Sequence, residues 1–374
     1  MKIRAAVLHE LGLPRPYGDS KPLKIETLDL DPPGEGEVLV KIHAAGLCHS
    51  DLSVIDGNRP RPMPMALGHE AAGEVLELGH GVDDVEIGDH VVFVFVPSCG
   101  HCKPCASGRP ALCEPAAVTN GAGTLVSGDR RLCLDGTPIN HHLGVSAFAD
   151  HAVVSRRSFV KIDNDIPYEI AALFGCAVIT GVGAVVNTSK VHPGSTVAVI
   201  GLGGIGLNTL LGARLAGARQ IVAIDMREDK LEFARQLGAT DAFIASDENC
   251  VAAVKEATGG GVDYSFEMAG SAKALELAWN ITGRGGETVS AGLPHPDQRL
   301  SIPPVQLVAE ERTLRGSYLG SCVPVRDIPN FVQLYRSGQL PVDRLMTETV
   351  RLDDINEAFE RLASGETVRT VMIP

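Results

Sequence analysis

One stretch of the sequence decides the fold, and it reads Val197-Ala198-Val199-Ile200-Gly201-Leu202-Gly203-Gly204-Ile205-Gly206. A run of branched apolar residues, typical of a buried strand, leads directly into the glycines, and a helical pattern follows them. In this arrangement Gly201 permits a tight turn, Gly203 lets the backbone approach a pyrophosphate, and Gly206 lets helix and strand pack closely. The predicted phosphate-binding residues of a dinucleotide site at the helix N-terminus are Gly201, Gly203, Gly204 and Gly206.

A second feature supports the dinucleotide site. The next predicted strand, Gln220–Ile224, is followed by Asp225, nineteen residues after Gly206. A carboxylate at this distance binds the ribose hydroxyls of an adenosine and repels a ribose 2′-phosphate, so the sequence favours NAD. Arg227 lies near enough in sequence to weaken that preference. The alternative is a glycine-rich turn with an unrelated surface aspartate, and the two features in register favour the cofactor site.

The strand pattern around this motif predicts the fold class. Strand-like runs at 196–200, 220–224 and 262–266 are separated by helix-length stretches such as Glu228–Leu237. Alternating strands and helices predict an α/β domain with a doubly wound parallel sheet, the Rossmann arrangement. The first third instead carries short branched runs punctuated by Gly and Pro, at 38–42, 72–78 and 90–96, which predict a barrel or sandwich. After about Gly320 the alternation stops, and helices are predicted at 325–337 and 352–363.

Length and composition set the limits of the interpretation. With 374 residues, 44% of them hydrophobic and 21% charged, the chain should form two folded domains. A formal charge of −13 disfavours nucleic acid and anionic membranes as partners, because both are bound mainly through Lys and Arg. Residues 1–10 lack the apolar length of an export signal, and the apolar stretches 171–186 and 197–207 are short and rich in glycine. We therefore expect a cytoplasmic protein.

A compact cysteine motif predicts a metal site. Cys99, Cys102, Cys105 and Cys113 fall within fifteen residues of a chain that has nine cysteines in total. Four thiolates on one loop can close a tetrahedral structural zinc site without a water ligand. A bacterial iron–sulfur run also begins with two C-x-x-C steps, but its fourth cysteine follows after three residues and here it follows after seven. The spacing favours zinc over both the cluster and four cysteines without a ligand.

Three further candidates are dispersed: Cys48, His69 and Cys176. Taken one at a time, each is poor evidence, because a lone cysteine is usually a small buried apolar residue and a lone histidine a satisfied polar group. Their spacing alone cannot join them.

Taken together, the three sets of motifs, in this order and at this spacing, resemble the zinc-containing medium-chain alcohol dehydrogenases over nearly the whole chain. The resemblance implies a β-rich, GroES-like catalytic domain at 1–178 and 322–374, with an NAD-binding Rossmann domain at 179–321 inserted in it. It implies that Cys48, His69 and Cys176 hold a catalytic zinc, in addition to the structural zinc of the four-cysteine loop. Glu70 would be a neighbouring or exchange ligand, and Asp51 would orient His69.

The resemblance also implies an activity, the transfer of a hydride between an alcohol and NAD to give an aldehyde or a ketone. Zinc would act as a Lewis acid that lowers the pKa of the alcohol, and the cofactor would perform the redox step. Ser50 would take the alcohol proton. The positions implied to contact the cofactor are Thr180 beside the nicotinamide, His49 and Arg369 at the pyrophosphate, and Lys230.

Several positions depart from the family pattern. Ser53 replaces a histidine that ends the proton relay in animal alcohol dehydrogenases, so the exit of the proton is open. The segment 261–267 is similar to the glutathione-dependent formaldehyde dehydrogenases, yet Ala117 stands where that branch has an arginine for the glutathione carboxylate. His142 stands where the animal enzymes have an aromatic wall of the substrate pocket. Its neighbour Leu143 and two other residues, Phe95 and Leu293, match wall positions.

Three hypotheses about the function therefore remain after the sequence analysis. The main one is an alcohol dehydrogenase acting on a small molecule, and the second is a dehydrogenase for an S-hydroxymethyl thiol adduct. A third, non-enzymatic reading, in which the Rossmann domain only senses NAD, would be supported by loss of Cys48 or His69, and both are present. The resemblance is also the basis for expecting a homodimer or homotetramer.

Overall fold

The computed structural model describes all 374 residues, which form two compact units. The first unit comprises Met1–Cys176, Val323–Val332 and Val342–Pro374, and the second comprises Ala177–Cys322 and Gln333–Pro341. The boundaries expected from the resemblance were at 178/179 and 321/322. The structure places them after Cys176 and after Cys322, and it groups residues 333–341 with the second unit, a return that no sequence motif marks.

Strands and helices alternate in groups along the chain. The strands are β1 (Lys2–Leu8), β2 (Leu23–Leu30), β3 (Glu37–Gly46), β4 (Met65–Ala66), β5 (Glu70–Leu78), β6 (His90–Phe93), β7 (Leu132–Leu134), β8 (Thr137–His141), β9 (His151–Ser155), β10 (Phe159–Ile162), β11 (Thr196–Ile200), β12 (Gln220–Asp225), β13 (Asp241–Ile244), β14 (Val262–Glu267), β15 (Thr282–Ser290), β16 (Thr313–Gly316), β17 (Met346–Arg351) and β18 (Arg369–Ile373). The helices are α1 (Tyr17–Ser20), α2 (His49–Ile55), α3 (Lys103–Ala106), α4 (Glu114–Ala122), α5 (Tyr168–Ala171), α6 (Ala177–Gly183), α7 (Gly204–Leu215), α8 (Glu228–Leu237), α9 (Cys250–Thr258), α10 (Ala272–Ile281), α11 (Pro304–Ala309), α12 (Pro324–Arg336) and α13 (Ile355–Ala363). No single helix has the length and apolar character needed to cross a membrane, although one bent pair of helical segments over 168–189 passes that test by length and composition.

The first unit is built from two β-structures. Strands β1, β2, β7, β8 and β4 close a barrel, and a seven-stranded sheet runs in the order β10-β6-β5-β3-β18-β17, with β9 also paired to β3. The barrel strands share with the sheet an apolar core that includes Ile3, Leu28, Leu125, Ile139 and, from β9, Val153. The predicted β-rich first third is confirmed, and its predicted strands at 38–42, 72–78 and 90–96 correspond to β3, β5 and β6.

The second unit contains one six-stranded sheet in the order β13-β12-β11-β14-β15-β16, and every neighbouring pair of strands is parallel. This order is the doubly wound arrangement in which two halves extend in opposite directions from the first strand. The predicted strands at 196–200, 220–224 and 262–266 are β11, β12 and β14, and the predicted helix Glu228–Leu237 is α8. The predicted parallel α/β fold is confirmed.

The glycine turn between β11 and α7 has the geometry that its sequence requires. Gly201 has a φ of +89°, a left-handed conformation that glycine adopts without the strain of a side chain. A Cβ on Gly206 would lie 1.8 Å from the carbonyl oxygen of Gly201, so any side chain there would force the helix away from the turn. Around Gly203 the space is open, and a ligand could approach this backbone.

Candidate metal centres and nucleotide site

The nucleotide motif of the second unit holds Asp225 in a fixed position. Its Oδ2 accepts a hydrogen bond from the Leu202 N–H at 2.7 Å, and its Oδ1 accepts one from the Arg227 N–H at 3.1 Å. The guanidinium of Arg227 donates to Asp229, at 2.9 and 2.8 Å. The carboxylate therefore stands at the carboxyl end of β12 beside the glycine turn, as the motif predicts.

Two further cofactor candidates also lie in the second unit. Thr180 is a buried residue of α6, and Lys230 is a half-buried residue in the first turn of α8. Arg369 and His49, the other two candidates, belong to the first unit.

The four cysteines of the loop after β6 form one tight group. Their Sγ atoms lie within 4.8 Å of one another, and all four are free thiols. The Sγ atoms of Cys99 and Cys105 are 4.0 Å apart, close to the spacing of about 3.8 Å that a tetrahedral zinc ion with bonds of about 2.3 Å gives. A group of this size fits a single ion, whereas an iron–sulfur cluster places several iron atoms between its thiolates.

Backbone groups prepare this loop for thiolates. The N–H of Cys102 donates to Sγ of Cys99 at 3.2 Å, and the N–H of Cys99 donates to Sγ of Cys113 at 3.3 Å. The N–H groups of Cys102 and His101 lower the pKa of Cys99 to about 6. Outside the cysteine set, the guanidinium of Arg157 donates to the carbonyl oxygens of Ser98 and Cys99 and so holds the start of the loop. The sequence analysis missed this contact, which no spacing pattern encodes.

A second metal-sized group lies inside the first unit, and the fold brings it together from three separate segments. Cys48 follows β3, His69 and Glu70 stand at the beginning of β5, and Cys176 lies at the end of the first segment of this unit. One ligand atom of each lies within 4.8 Å of every other, and all four residues are buried. The structure thus joins the three dispersed candidates of the sequence analysis with Glu70.

The donor set of this group fits a metal ion. Nε2 of His69 and Oε1 of Glu70 are buried without a hydrogen-bond partner, and they lie 3.8 Å apart. Unpartnered buried polar atoms are costly, so two of them facing each other beside two thiols call for an ion between them. Two sulfurs and one imidazole nitrogen are the ligands of an open zinc site, which keeps a position for substrate.

The charges around the group are strongly perturbed. A hydrogen bond from Cys176 and the proximity of His69 hold the pKa of the Cys48 thiol well below its ordinary value, while the same pairing and burial raise the pKa of Cys176. Burial raises the pKa of Glu70 to about 8, even though Arg369 lies against it. Cys48 is therefore the more acidic thiol of the Cys48–Cys176 pair.

Arg369 is buried in the first unit, where its guanidinium donates to Oε2 of Glu70 and to the carbonyl oxygen of Leu47 at 3.2 Å. The predicted role of this residue was contact with the pyrophosphate. The structure shows a contact between Arg369 and Glu70, which the sequence analysis did not anticipate. Its Nε atom has no hydrogen-bond partner.

Helix α2 carries the predicted proton-relay residues. It begins directly after Cys48, with Ser50 half-buried in its first turn and the Ser50 N–H donating to Sγ of Cys48 at 3.5 Å. The hydroxyl of Ser53 donates to the carbonyl oxygen of His49 at 2.8 Å, so it is occupied within the helix. His49 itself is exposed.

The position expected to be a pocket wall has different contacts in the structure. His142 is 1% exposed and directs its Nδ1 towards Oδ1 of Asp51 at 3.0 Å, while Oδ2 of Asp51 lies 3.0 Å from Nδ1 of His69. These contacts are at ion-pair distance, and neither has the geometry of a full hydrogen bond. At this position, which the resemblance matches to an aromatic pocket wall, the structure adds a contact between the ring nitrogen and Asp51. Of the other wall candidates, Phe95 is buried with its ring edge-on to His69, and Leu143 is buried too.

The pKa values of the two paired groups reflect this arrangement. Burial would raise the pKa of Asp51, but the neighbouring His69 and His142 outweigh it and hold the pKa well below the ordinary range. Burial would lower the pKa of His69, but Asp51 and Cys48 raise it well above its ordinary value. Without a metal ion these contacts favour a charged His69; a metal at Nε2 would displace that proton and leave Nδ1–H facing Asp51.

Together, the parallel nucleotide-binding sheet, the β-rich unit and the two cysteine-containing groups define a zinc-binding dehydrogenase. Comparison with known proteins gives the family. Residues 34–164 match the alcohol dehydrogenase GroES-like domain, and residues 204–337 match the zinc-binding dehydrogenase domain. The chain belongs to the zinc-containing medium-chain alcohol dehydrogenase family, and the predicted membership is confirmed.

Individual relatives extend over the full chain. An S-(hydroxymethyl)glutathione dehydrogenase of Synechocystis sp. is 40% identical over 376 residues, covering 100% of both chains. The crystal structure of benzyl alcohol dehydrogenase from Acinetobacter calcoaceticus superposes with a TM-score of 0.93 at 34% identity, covering 100% of this chain and 99% of the other. A zinc-binding dehydrogenase from Sinorhizobium meliloti bound to NADP superposes with a TM-score of 0.80 at 26% identity, covering 100% of each.

Proposed function

We propose that this chain is a zinc-dependent oxidoreductase that transfers a hydride between a CH–OH group and NAD, giving an aldehyde or a ketone. The observation that carries the proposal is the buried group of Cys48, His69 and Cys176, with the unpartnered Nε2 of His69 directed into it. Bound zinc supplies a Lewis acid there, which lowers the pKa of an alcohol and orients its oxygen. Family membership supports the same reaction class.

The residues of the chain divide the remaining work. Asp51 keeps the proton of His69 on Nδ1, so that Nε2 is a lone-pair donor. Ser50, beside Cys48 at the start of α2, takes the alcohol proton. Glu70, whose Oε2 contacts the guanidinium of Arg369, is the proposed exchange ligand. The four cysteines from Cys99 to Cys113 hold a second, structural zinc, because their set is closed and leaves no position for a substrate.

We propose NAD as the preferred cofactor. The Asp225 carboxylate is fixed by two backbone N–H groups, and the guanidinium of Arg227 donates to Asp229. A ribose 2′-phosphate would therefore meet a fixed negative charge. The test compares kcat/KM for NAD and NADP in the unmodified protein and in Asp225→Gly, in which the preference should fall. Equal efficiency with both cofactors in the unmodified protein would contradict the proposal.

A second candidate substrate is an S-hydroxymethyl thiol adduct, such as the one formed from formaldehyde and glutathione. The names of the curated relatives at about 40% identity favour it over a simple alcohol. Against it stands Ala117, an exposed residue of α4 with no charge to receive the glutathione carboxylate. One assay separates the two: formaldehyde with and without glutathione, run beside short-chain, long-chain, aromatic and diol alcohols. A higher kcat/KM for the adduct than for every alcohol would establish the second candidate.

A homodimer or homotetramer remains part of the proposal. Strand β16 is the edge of the six-stranded sheet, and all four of its residues are exposed. Val305 and Val308 of α11 are exposed as well, at 68% and 81%. An unpaired edge strand and exposed apolar side chains on the same unit both favour association with a second copy. Sedimentation equilibrium measures the mass, and a monomer at micromolar concentration would contradict this part.

A further inference from the structure

The buried carboxylate of Asp51 contacts more donors than the orientation of His69 requires. Its Oδ2 lies 3.0 Å from Nδ1 of His69. Its Oδ1 lies 3.0 Å from Nδ1 of His142 and accepts a hydrogen bond from the Gly68 N–H at 3.1 Å. The side chains of His69, His142 and Asp51 are 1%, 2% and 0% exposed, so the carboxylate bridges two imidazole rings inside the protein.

We propose that His142 is a positioning residue for the metal centre, holding Asp51 in the orientation that directs Nε2 of His69 to the metal. The inference rests on the proposed metal-binding role of Cys48, His69 and Cys176, and it extends that role to a residue outside the ligand set. His142 is not a member of the interior group of Cys48, His69, Glu70 and Cys176, and it acts on that group through Asp51.

The hydrogen positions follow from the chemistry of the carboxylate. An ionised carboxylate can only accept, so each histidine nitrogen that faces it must carry the hydrogen. For His69 this leaves Nε2 with a lone pair inside the metal group. For His142 it means that the hydrogen is on Nδ1, the ring nitrogen 3.0 Å from Oδ1, so that His142 offers the carboxylate a donor at ion-pair distance. Without that donor, Oδ1 would keep only the Gly68 N–H, and the carboxylate could turn away from His69.

The backbone fixes His142 where this contact is made. His142 follows β8, which pairs with β4 through Ala66 and His141. The hydroxyl of Ser146 accepts from the His142 N–H at 3.0 Å and donates to the carbonyl oxygen of Ala66 at 2.8 Å. The next residue, Leu143, has a φ of +53°, a strained conformation for a side-chain-bearing residue that persists only where the surroundings enforce it.

Gly68 brings the other side of the contact close. A Cβ at this position would lie 2.4 Å from the backbone nitrogen of Phe148, so only glycine lets the segment before His69 pack this tightly. The rings of His69 and His142 then meet at 90° with centroids 5.5 Å apart. The three buried groups thus pack directly against one another.

Two substitutions test the proposal. His142→Phe keeps a ring of similar size and removes the donor, whereas His142→Asn places an amide N–H near the former Nδ1. In protein loaded with zinc, we measure the rate at which a coloured chelator removes metal from the buried group. In protein loaded with cobalt, we measure the visible absorption bands. The expected result for His142→Phe is release faster by about 10-fold to 100-fold with shifted cobalt bands, and return to within about threefold of the unmodified rate in His142→Asn.

The matched control is His151→Phe. His151 also has its Nδ1 3.0 Å from an aspartate oxygen, that of Asp150, but it belongs to neither metal group, so metal release should not change. The four-cysteine group serves as an internal control in every variant. An unchanged release rate and spectrum in His142→Phe would overturn the proposal. Equal impairment in His142→Phe and His142→Asn, with a matching fall in melting temperature, would overturn it in favour of packing alone.

A different coordination would also overturn it. Asp51, His69 and His142 are close enough to hold an ion among themselves. In protein whose four-cysteine group keeps its zinc, cobalt bound there would lack the intense near-ultraviolet absorption that thiolate ligands produce, and His142 would then be a ligand. Failure of the proposed function is distinguishable, because a protein that binds zinc through Cys48 and Cys176 but oxidises no alcohol or adduct leaves the metal-release result readable.

Discussion

The two cysteine groups of the first unit differ in how the chain assembles them. The loop group lies within residues 99–113, two of its members are only half-buried, and no carboxylate stands in its donor set. The interior group draws on residues between 48 and 176, and every member is buried. One group is therefore local and closed, whereas the other depends on the whole fold of the first unit.

Their surroundings differ in the same sense. In the loop group, backbone N–H groups donate to sulfur atoms and so favour the thiolate form of the cysteines. Around the interior group stand a carboxylate pair, Asp51 and Glu70, with His142 and Arg369 as their partners. Ionisable groups with opposing shifts in pKa are typical of chemical sites, and a closed thiolate set is typical of structural ones. We infer that the loop group stabilises the fold and that the interior group performs the chemistry.

The largest expected effect separates the two groups by single cysteines. Cys48→Ala should lower turnover by about three orders of magnitude or more while the circular dichroism spectrum and melting temperature stay close to those of the unmodified protein. Cys102→Ala should instead lower the free energy of unfolding of the first unit by about 4 kcal/mol or more, because a structural zinc contributes directly to folding. Steady-state kinetics and thermal melts measure both. A Cys102→Ala protein of normal stability would remove the distinction.

The next effect concerns the proton and sharpens the chemical role of the interior group. Ser50→Ala should lower turnover by about two to four orders of magnitude, the range for a positioned proton-transfer group. Zinc content should be unchanged, since Ser50 offers the group only its backbone N–H. Ser53→Ala is the matched control on the same helix, because its hydroxyl is bound to the carbonyl oxygen of His49. Equal losses in both variants would show that helix α2, rather than a relay, is affected.

The exit of the proton can be resolved on the same helix. If the proton leaves through solvent, imidazole buffers should accelerate oxidation by the unmodified protein, and Ser53→His should raise the rate below neutral pH. The histidine variant should then gain nothing from the buffer. Buffer-independent rates in both proteins, with His49→Gln strongly impaired, would assign the exit to His49.

Metal content provides a test of the comparison as a whole. Elemental analysis should find two zinc ions per chain, one for each group. A chelator should remove the zinc of the interior group with loss of activity and retention of the fold. It should remove the zinc of the loop group only as the first unit unfolds. A single zinc per chain, or iron with visible absorption, would contradict the assignment of at least one group.

The smallest effect probes the support of the loop. Arg157→Ala should lower stability by about 1 kcal/mol, because the guanidinium donates to the carbonyl oxygens of Ser98 and Cys99 partly in contact with solvent. Activity should be unchanged. Chelator-resistant zinc and thermal melts provide the measurements, and Arg156→Ala is a control whose guanidinium pairs with Asp84 instead. If Arg157→Ala lowered turnover without lowering stability, the conformation of the four-cysteine loop would affect the interior group.

The sequence by itself determined the features whose chemistry is local. The glycine turn, Asp225 after the second strand of the parallel sheet, and the four cysteines all act within short stretches, so their spacing alone indicates their geometry. The strands at 196–200 and 220–224 and the helix Glu228–Leu237 were predicted at or within one residue of their observed bounds, because apolar periodicity and turn residues are local signals too.

Only the tertiary structure decided the interior group and its support. Nothing in the spacing of Cys48, His69 and Cys176 joins them, and the resemblance to a family was needed to propose them as one set. The structure joins them because β3 and β5 pair in register, with Gly46 opposite Glu70. The pairing of β4 with β8 likewise brings His142 to Asp51, a contact that the match to an aromatic wall position of the animal enzymes did not indicate. Contacts between distant segments depend on strand pairing and burial, which a linear pattern does not encode.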